Sequence, residues 1–153
     1  MIGLLQRVSS AQVSVEGKVV GAIESGLLVL VGVQPHDDER TSQRLLERLL
    51  GYRVFPDADG RMNGSLAETG GGLLLVPQFT LAADTRKGSR PGFSTAAPPA
   101  VAEARFAALC EQARQCHTPV ATGAFGSDMQ VQLCNDGPVT FWLEVPGQPR
   151  STG

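Results

Sequence analysis

Gly26-Leu27-Leu28-Val29-Leu30-Val31-Gly32-Val33 is the stretch that decides the architecture. Its eight residues carry no polar side chain. That is far short of the roughly 20 needed to span a bilayer. It is also too continuous for a strand with one wet face, and fits a strand covered on both sides. A second run, Leu73-Leu74-Leu75-Val76-Pro77-Gln78-Phe79-Thr80-Leu81, predicts a buried strand of the same kind. Pro77 has no N–H for the ladder, so this strand should lie at an edge or be interrupted there.

Outward toward the start, Ile2–Val8 and Gln12–Val15 predict two short strands. In the second, Val13 and Val15 alternate with polar neighbours. Glu16-Gly17-Lys18 turns into a strand over Val19–Ile23, and Glu24-Ser25-Gly26 turns into the central run. Beyond it, Asp37-Asp38-Glu39 supplies a cap and acids suited to a helix start, with Gly51 as the stop. The helix buries Ser42, Leu45, Leu46, Leu49 and Leu50. Tyr52–Phe55 predicts a strand, Pro56–Gly60 a turn, and residues 61–72 a mobile connection ending in Gly70-Gly71-Gly72. Asp57, Asp59 and Gly60 resemble the start of a calcium loop, but the glutamate that would complete it is missing.

After the second run comes a loop, Asp84–Gly92. Pro98-Pro99 then opens a helix to about Cys116, with Ala102, Phe106, Leu109 and Ala113 on one face. Met129, Val131 and Leu133 mark a strand. Asn135-Asp136-Gly137-Pro138 reads as a hairpin turn into Val139–Val145, where Val139, Phe141, Leu143 and Val145 share a face. The expected fold is α/β: one domain over residues 1–146, layered sheet on sheet on helix, with two main helices. A disordered tail over 147–153 is expected to follow.

Of the 153 residues, 42 % are hydrophobic and 18 % charged, which excludes a disordered chain. Thirteen basic against fifteen acidic residues give a net charge of −2, against sequence-independent binding to duplexes. The start of the chain has no basic region ahead of an apolar core, so no signal peptide is read. Cys110, Cys116 and Cys134 are odd in number and fit no metal spacing. The expectation is reduced thiols, a cytoplasmic setting, and neither metal nor cofactor. His36 and His117 stand in no metal or nucleophile motif and read as surface residues. No GxSxG or phosphate loop is present.

Two segments stand out. Pro77-Gln78-Phe79-Thr80-Leu81 puts an amide and a hydroxyl at the end of an apolar strand, which fits either a functional loop or a strand end with satisfied polar groups. Asn135-Asp136-Gly137-Pro138-Val139-Thr140 is the other. Together with Gln6-Arg7-Val8, Leu50-Gly51-Tyr52-Arg53-Val54-Phe55, Gly60-Arg61-Met62-Asn63, Gln78 through Thr85, Arg90-Pro91 and Asp128-Met129-Gln130-Val131, they resemble the D-aminoacyl-tRNA deacylase family, also called D-Tyr-tRNA deacylase. The blocks keep the family's order over almost the whole chain.

The resemblance implies a homodimer that hydrolyses the ester between a D-amino acid and the terminal adenosine of tRNA. It implies a cis Gly137-Pro138 peptide entering the partner's active site, where its backbone faces the substrate α-carbon and excludes an L side chain. Glycine, being achiral, would pass. Arg7 would anchor that loop through a carbonyl. Gln78, Phe79 and Thr80 would form the catalytic wall, with Phe79 N–H as oxyanion donor. Thr80 has no visible base to make it a nucleophile, so water assisted by the RNA 2′-hydroxyl is the preferred attacker, with Thr80 positioning. Phe125 and Met129 would pack on adenine, the plain alternative being core packing. Arg86, Lys87 and Arg90 would meet phosphates, or form a solvated loop.

One position departs from the pattern. The family usually has serine where this chain has Pro77, and a proline there resembles a related subgroup that removes L-alanine from mischarged tRNA. Phe79 and the Asn135–Thr140 block follow the D-specific pattern instead. An L-alanyl-tRNA editor and a non-catalytic nucleic-acid-end-binding module therefore stand as alternatives.

Overall fold

The central run forms β3 (Gly26–Gly32), and a computed structural model of the chain, describing residues 1–149, shows why it has no polar side chain. β3 pairs antiparallel with β1 (Ile2–Val15) on one side and parallel with β6 (Gly72–Pro77) on the other. Both of its faces are covered. Leu27 and Val29 face one apolar cluster with Leu73 and Leu75, while Leu28 faces a second with Leu74 and Val76. Each such fully buried side chain contributes about 1.5–3 kcal/mol relative to exposure. The two strands meet so closely at their starts that a Cβ on Gly26 would strike the Gly72 carbonyl.

The sheet runs β2 (Lys18–Ile23), β1, β3, β6, β7 (Val120–Thr122), and β8 (Gln130–Glu144) pairs with β1. It curls until Gly21 of β2 lies against Thr122 of β7. Two helices, α1 (Glu39–Gly51) and α3 (Pro99–Cys116), pack on one face and bury Leu45, Leu49, Phe106 and Leu109 in the first cluster. The second cluster, with Val8, Val13 and Ile23, fills the inside of the curl, and Met129 and Val131 pack against it. The mixed α/β domain with two main helices matches the expectation. Its strands form one curled six-stranded sheet and a small two-stranded one.

Local chemistry sets the helix ends. Asp38 accepts from Thr41 N–H (3.0 Å), and Thr41 Oγ1 accepts from Asp38 N–H (3.1 Å), a reciprocal cap. The Thr41 N–H holds the Asp38 carboxyl below its ordinary value. Beside it, the buried Met1 ammonium donates to Asp37 Oδ1 (2.7 Å), Gln34 Oε1 (3.0 Å) and the Val145 carbonyl (2.6 Å), tying the first strand to the last.

Five expectations are corrected. The two strands over 2–15 are one continuous β1. Tyr52–Phe55 is not a strand: Val54 N–H folds back to the Tyr52 carbonyl (3.1 Å), and only Phe55–Pro56 pairs, as β4, with β5 (Met62–Gly64). Residues 61–72 are structured, because Asp57 braces the turn before β5 and Ser65 caps a one-turn helix, α2 (Leu66–Thr69). The strand expected through Leu81 ends at Pro77 and passes into a 3-10 turn, Phe79–Ala82. Asn135–Pro138 is no hairpin turn, since β8 pairs with β1 on both sides of it. The backbone there takes five steps from Asn135 to Thr140 while β1 takes two from Val8 to Gln6, so the surplus residues bow outward. Of the expected tail, residues 147–149 are described, with Gly147 against the His36 backbone, and residues 150–153 lie outside the described part.

Candidate active site

Pro77 forces the end of β6, and the turn beyond it is the core of the site. Gln78 N–H still reaches the Val31 carbonyl (2.8 Å), so the chain leaves the sheet from a fixed point. The next four residues wind into the 3-10 turn. Its first donors, Phe79 N–H and Thr80 N–H, make no backbone hydrogen bond among the described residues, as the first turn of a helix dictates. Gln78 Nε2 donates to Thr80 Oγ1 (2.7 Å), which couples the amide to the hydroxyl.

This turn stands between two hollows. One, of about 430 Å³, is lined by Pro77, Gln78 and Phe79, by Phe125 and Met129, and by Ala102 of α3. Phe125 leans on Phe106 (ring centroids 6.5 Å apart), so its ring is both a core contact and a wall. The other, of about 610 Å³, is lined by Thr80, by Asp84 and Arg86, and by Trp142 and Glu144 of β8. Phe79 is 58 % exposed on the rim between them, its ring 5.2 Å from that of Phe93.

The loop over 84–92 is pinned by paired bonds between Asp84 and Gly92. Arg86 does not stand free on it. Its guanidinium is held by both Asp84 oxygens (2.9 and 2.8 Å), and those hydrogen bonds keep the Asp84 carboxyl well below the usual carboxylate range. Lys87 and Arg90 are exposed, with no ion pair among the described residues.

Gly137 and Pro138 lie elsewhere. Their peptide is cis, and the outward bow that carries them lines neither hollow. The bow is built from side chains. Arg7 Nε donates to the Asp136 carbonyl (2.9 Å), and Arg7 Nη1 to the Val54 carbonyl (2.6 Å). Asn135 Nδ2 donates to the Arg7 carbonyl (2.8 Å) and to the Val139 carbonyl (3.1 Å), closing the base of the bow. Gly137 has no room for a Cβ, which would meet Asn135 Oδ1 and the Val139 nitrogen.

The structure thus joins Gln78 and Phe79 with Phe125 and Met129, puts Thr80 with Arg86, and joins Arg7 to the bow. It does not bring the bow to the hollows within one chain. Sequence reasoning gave no part to Asn135, Phe93 or Trp142. For Trp142 a signal was present: it falls out of phase with Val139, Phe141 and Leu143, on the outward face. No group of three His, Cys, Asp or Glu side chains able to hold a metal occurs among the described residues, and no described helix is long and apolar enough to cross a membrane.

Comparison with known proteins gives concordant results. The sequence model described as D-Tyr-tRNA(Tyr) deacylase matches residues 4–144. A D-aminoacyl-tRNA deacylase of Thioalkalivibrio sulfidiphilus is 64 % identical over 146 residues, 95 % of this chain and 98 % of that protein. One of Pseudomonas fluorescens is 62 % identical over 145 residues, 95 % of this chain and all of that protein. The solved structure of a c-Myc DNA unwinding element binding protein superposes with TM-score 0.91 at 37 % identity, over 96 % of this chain and 100 % of that one. A probable eukaryotic D-amino acid tRNA deacylase shares the fold, with TM-score 0.81 at 18 % identity over 94 % and 98 % of the two chains.

Proposed function

The chain belongs to the D-Tyr-tRNA(Tyr) deacylase family, and from that premise we propose that it is a D-aminoacyl-tRNA deacylase acting as a homodimer. The observation that carries the reading is the 3-10 turn after Pro77: its Phe79, whose N–H has no hydrogen bond among the described residues, lines an apolar hollow, and its Thr80 lines the hollow on the other side. The terminal adenine stacks in that hollow against Phe125 and Met129, a use of aromatic and thioether surface that demands no particular sequence upstream. The ester then lies over Phe79 and Thr80.

Water attacks the ester carbonyl carbon and gives up a proton to the ribose 2′-hydroxyl network. The carbonyl oxygen becomes an oxyanion that accepts from Phe79 N–H, a donor with no competing hydrogen bond among the described residues. The bond from carbon to ribose oxygen breaks, the ribose oxygen takes the proton, and free amino acid leaves. Thr80, held by Gln78, orients the substrate and does not attack.

Selection comes from the partner. Its Gly137-Pro138 backbone, held by its Arg7 and Asn135, faces the α-carbon and leaves no volume for an L side chain. It makes no demand on a D side chain, and lets glycine through. A filter that lies away from its own chain's hollows has a use only when a second copy presents it. Lys87 and Arg90 meet phosphates of the acceptor end, while Arg86 braces the loop through Asp84.

Hydrolysis of matched D-tyrosyl-, L-tyrosyl-, L-alanyl- and glycyl-tRNA tests the reading. Cleavage of the D-tyrosyl and glycyl forms, with L-tyrosyl spared, is expected. Efficient cleavage of L-alanyl-tRNA alone would assign the related editing activity, and binding without turnover would assign a nucleic-acid-end-binding module.

A further inference from the structure

Arg7 has a second bond that loop anchoring does not use. Its Nη1 donates to the Val54 carbonyl (2.6 Å), the last residue before the β4–β5 hairpin, while its Nε holds the Asp136 carbonyl (2.9 Å) of the bow. One guanidinium therefore fixes the base of the hairpin beside the base of the bow. The hairpin is itself braced. Asp57 and Arg61 exchange Asp57 N–H to Arg61 carbonyl (2.8 Å) and Arg61 N–H to Asp57 Oδ1 (2.9 Å), and Asn63 Nδ2 bonds Asp57 Oδ2 (2.7 Å). The Asn63 amide and the Arg61 N–H hold the Asp57 carboxyl below its ordinary value. At about 3.3 Å per residue, the turn stands about 10 Å from Val54.

At that turn sits Arg61. It is exposed, and its side chain has no hydrogen bond or ion pair among the described residues. The neighbouring cation, Arg53, is occupied by the Asn63 carbonyl (2.7 Å) and by Glu68 (3.8 Å). A rigid tip thus carries one uncommitted guanidinium on a chain of net charge −2. We propose that Arg61 binds a backbone phosphate of the single-stranded RNA end held by the partner subunit. The proposal rests on the reading that the bow enters the partner's site: whatever carries the bow there carries the hairpin with it, to the rim the RNA must cross. Guanidinium fits this ligand because its planar fork matches two phosphate oxygens.

Two measurements test it. The first is the salt dependence of kcat/KM on D-tyrosyl-tRNA. Arg61→Ala is expected to make the slope of log(kcat/KM) against log salt shallower by about 0.7, the single-strand value for one phosphate, with the loss in KM. An unchanged slope overturns the proposal. The second mixes subunits, with Gln78→Ala as the pocket defect. A heterodimer of an Arg61→Glu subunit with a Gln78→Ala subunit is expected to regain about half the native activity, because one complete site forms from opposite subunits. The same two substitutions on one subunit, paired with a native one, leave no complete site. The reverse pattern assigns Arg61 to its own subunit's site and overturns the proposal. A parallel pair, Gly137→Ala with Gln78→Ala, tests the underlying reading through selectivity: rejection of L-tyrosyl-tRNA should return with the substitutions on opposite subunits and be lost with both on one. If this pair complements and the Arg61 pair does not, only the inference fails; if neither does, both fail.

Discussion

Two departures from regular strand pairing build the candidate site, one after Pro77 in β6 and one over Asn135–Val139 in β8, and they are supported in opposite ways. The turn after Pro77 grows from a strand whose side chains from Leu73 to Val76 are all 0 % exposed, so it inherits its position from both apolar clusters. The bow over Asn135–Val139 has one buried residue, Val139, and keeps its shape through hydrogen bonds from Arg7 and Asn135. A wall resting on the core cannot be altered without cost to the fold. A bow resting on two polar side chains can be altered almost alone. On the proposed reading, chemistry belongs to the first and selection to the second, so the two properties should separate by mutation.

The largest effect is expected under the wall. Leu74→Ala removes a fully buried side chain and should cost about 2–5 kcal/mol of stability, lowering D-tyrosyl turnover as folded protein is lost while L-tyrosyl-tRNA stays spared. Thermal unfolding beside an activity titration measures both. L-tyrosyl hydrolysis appearing in this variant would show that the wall also selects. Next comes Gly137→Ala, where the added Cβ meets Asn135 Oδ1 and the Val139 nitrogen. Displacing the bow by an ångström should cut D-over-L selectivity by about a hundredfold with little change in unfolding temperature.

The legible part of the fold follows the same division. The runs at Gly26–Val33 and Leu73–Val76 announced buried strands because both faces are dry, and the helix at Glu39–Gly51 announced itself by its cap and its leucine stripe. Burial leaves a mark on composition. The bow left the opposite mark, since Asn-Asp-Gly-Pro is turn chemistry whether the chain reverses or continues, and only pairing with β1 on both sides distinguishes a bow from a hairpin. The short elements over 62–69 were lost because three or four residues are too few to show a period. For the site, the residues of the wall and the bow came from a family resemblance. Their grouping into two hollows, and the commitment of Arg86 to Asp84, required the folded chain.

A smaller effect is expected from Asn135→Ala. It removes two hydrogen bonds at the base of the bow, each worth about 0.5–1.5 kcal/mol net, and should lower D-over-L selectivity about tenfold with the unfolding midpoint shifted by only a few degrees. Asn135→Asp keeps the oxygen but loses both donors, so it should not rescue. The smallest effect is reserved for Pro77→Ser. Pro77 bounds the adenine hollow and lies outside the proposed ester-handling turn, so the rate should change by less than about tenfold, or 1.4 kcal/mol. D-over-L preference should hold, and a switch from L-alanyl to D-tyrosyl substrate would show that residue 77 sets specificity.

The division between wall and bow is tested most directly by Arg7→Ala, with initial rates on D-tyrosyl-tRNA and L-tyrosyl-tRNA measured at equal enzyme concentration. Arg7 touches the bow through the Asp136 carbonyl and lines neither hollow. D-tyrosyl hydrolysis is expected to stay within about tenfold of native, a loss below 1.4 kcal/mol, while L-tyrosyl hydrolysis becomes measurable. Loss of D-tyrosyl hydrolysis with L-tyrosyl-tRNA still untouched would contradict the division, because the bow would then belong to the catalytic machinery.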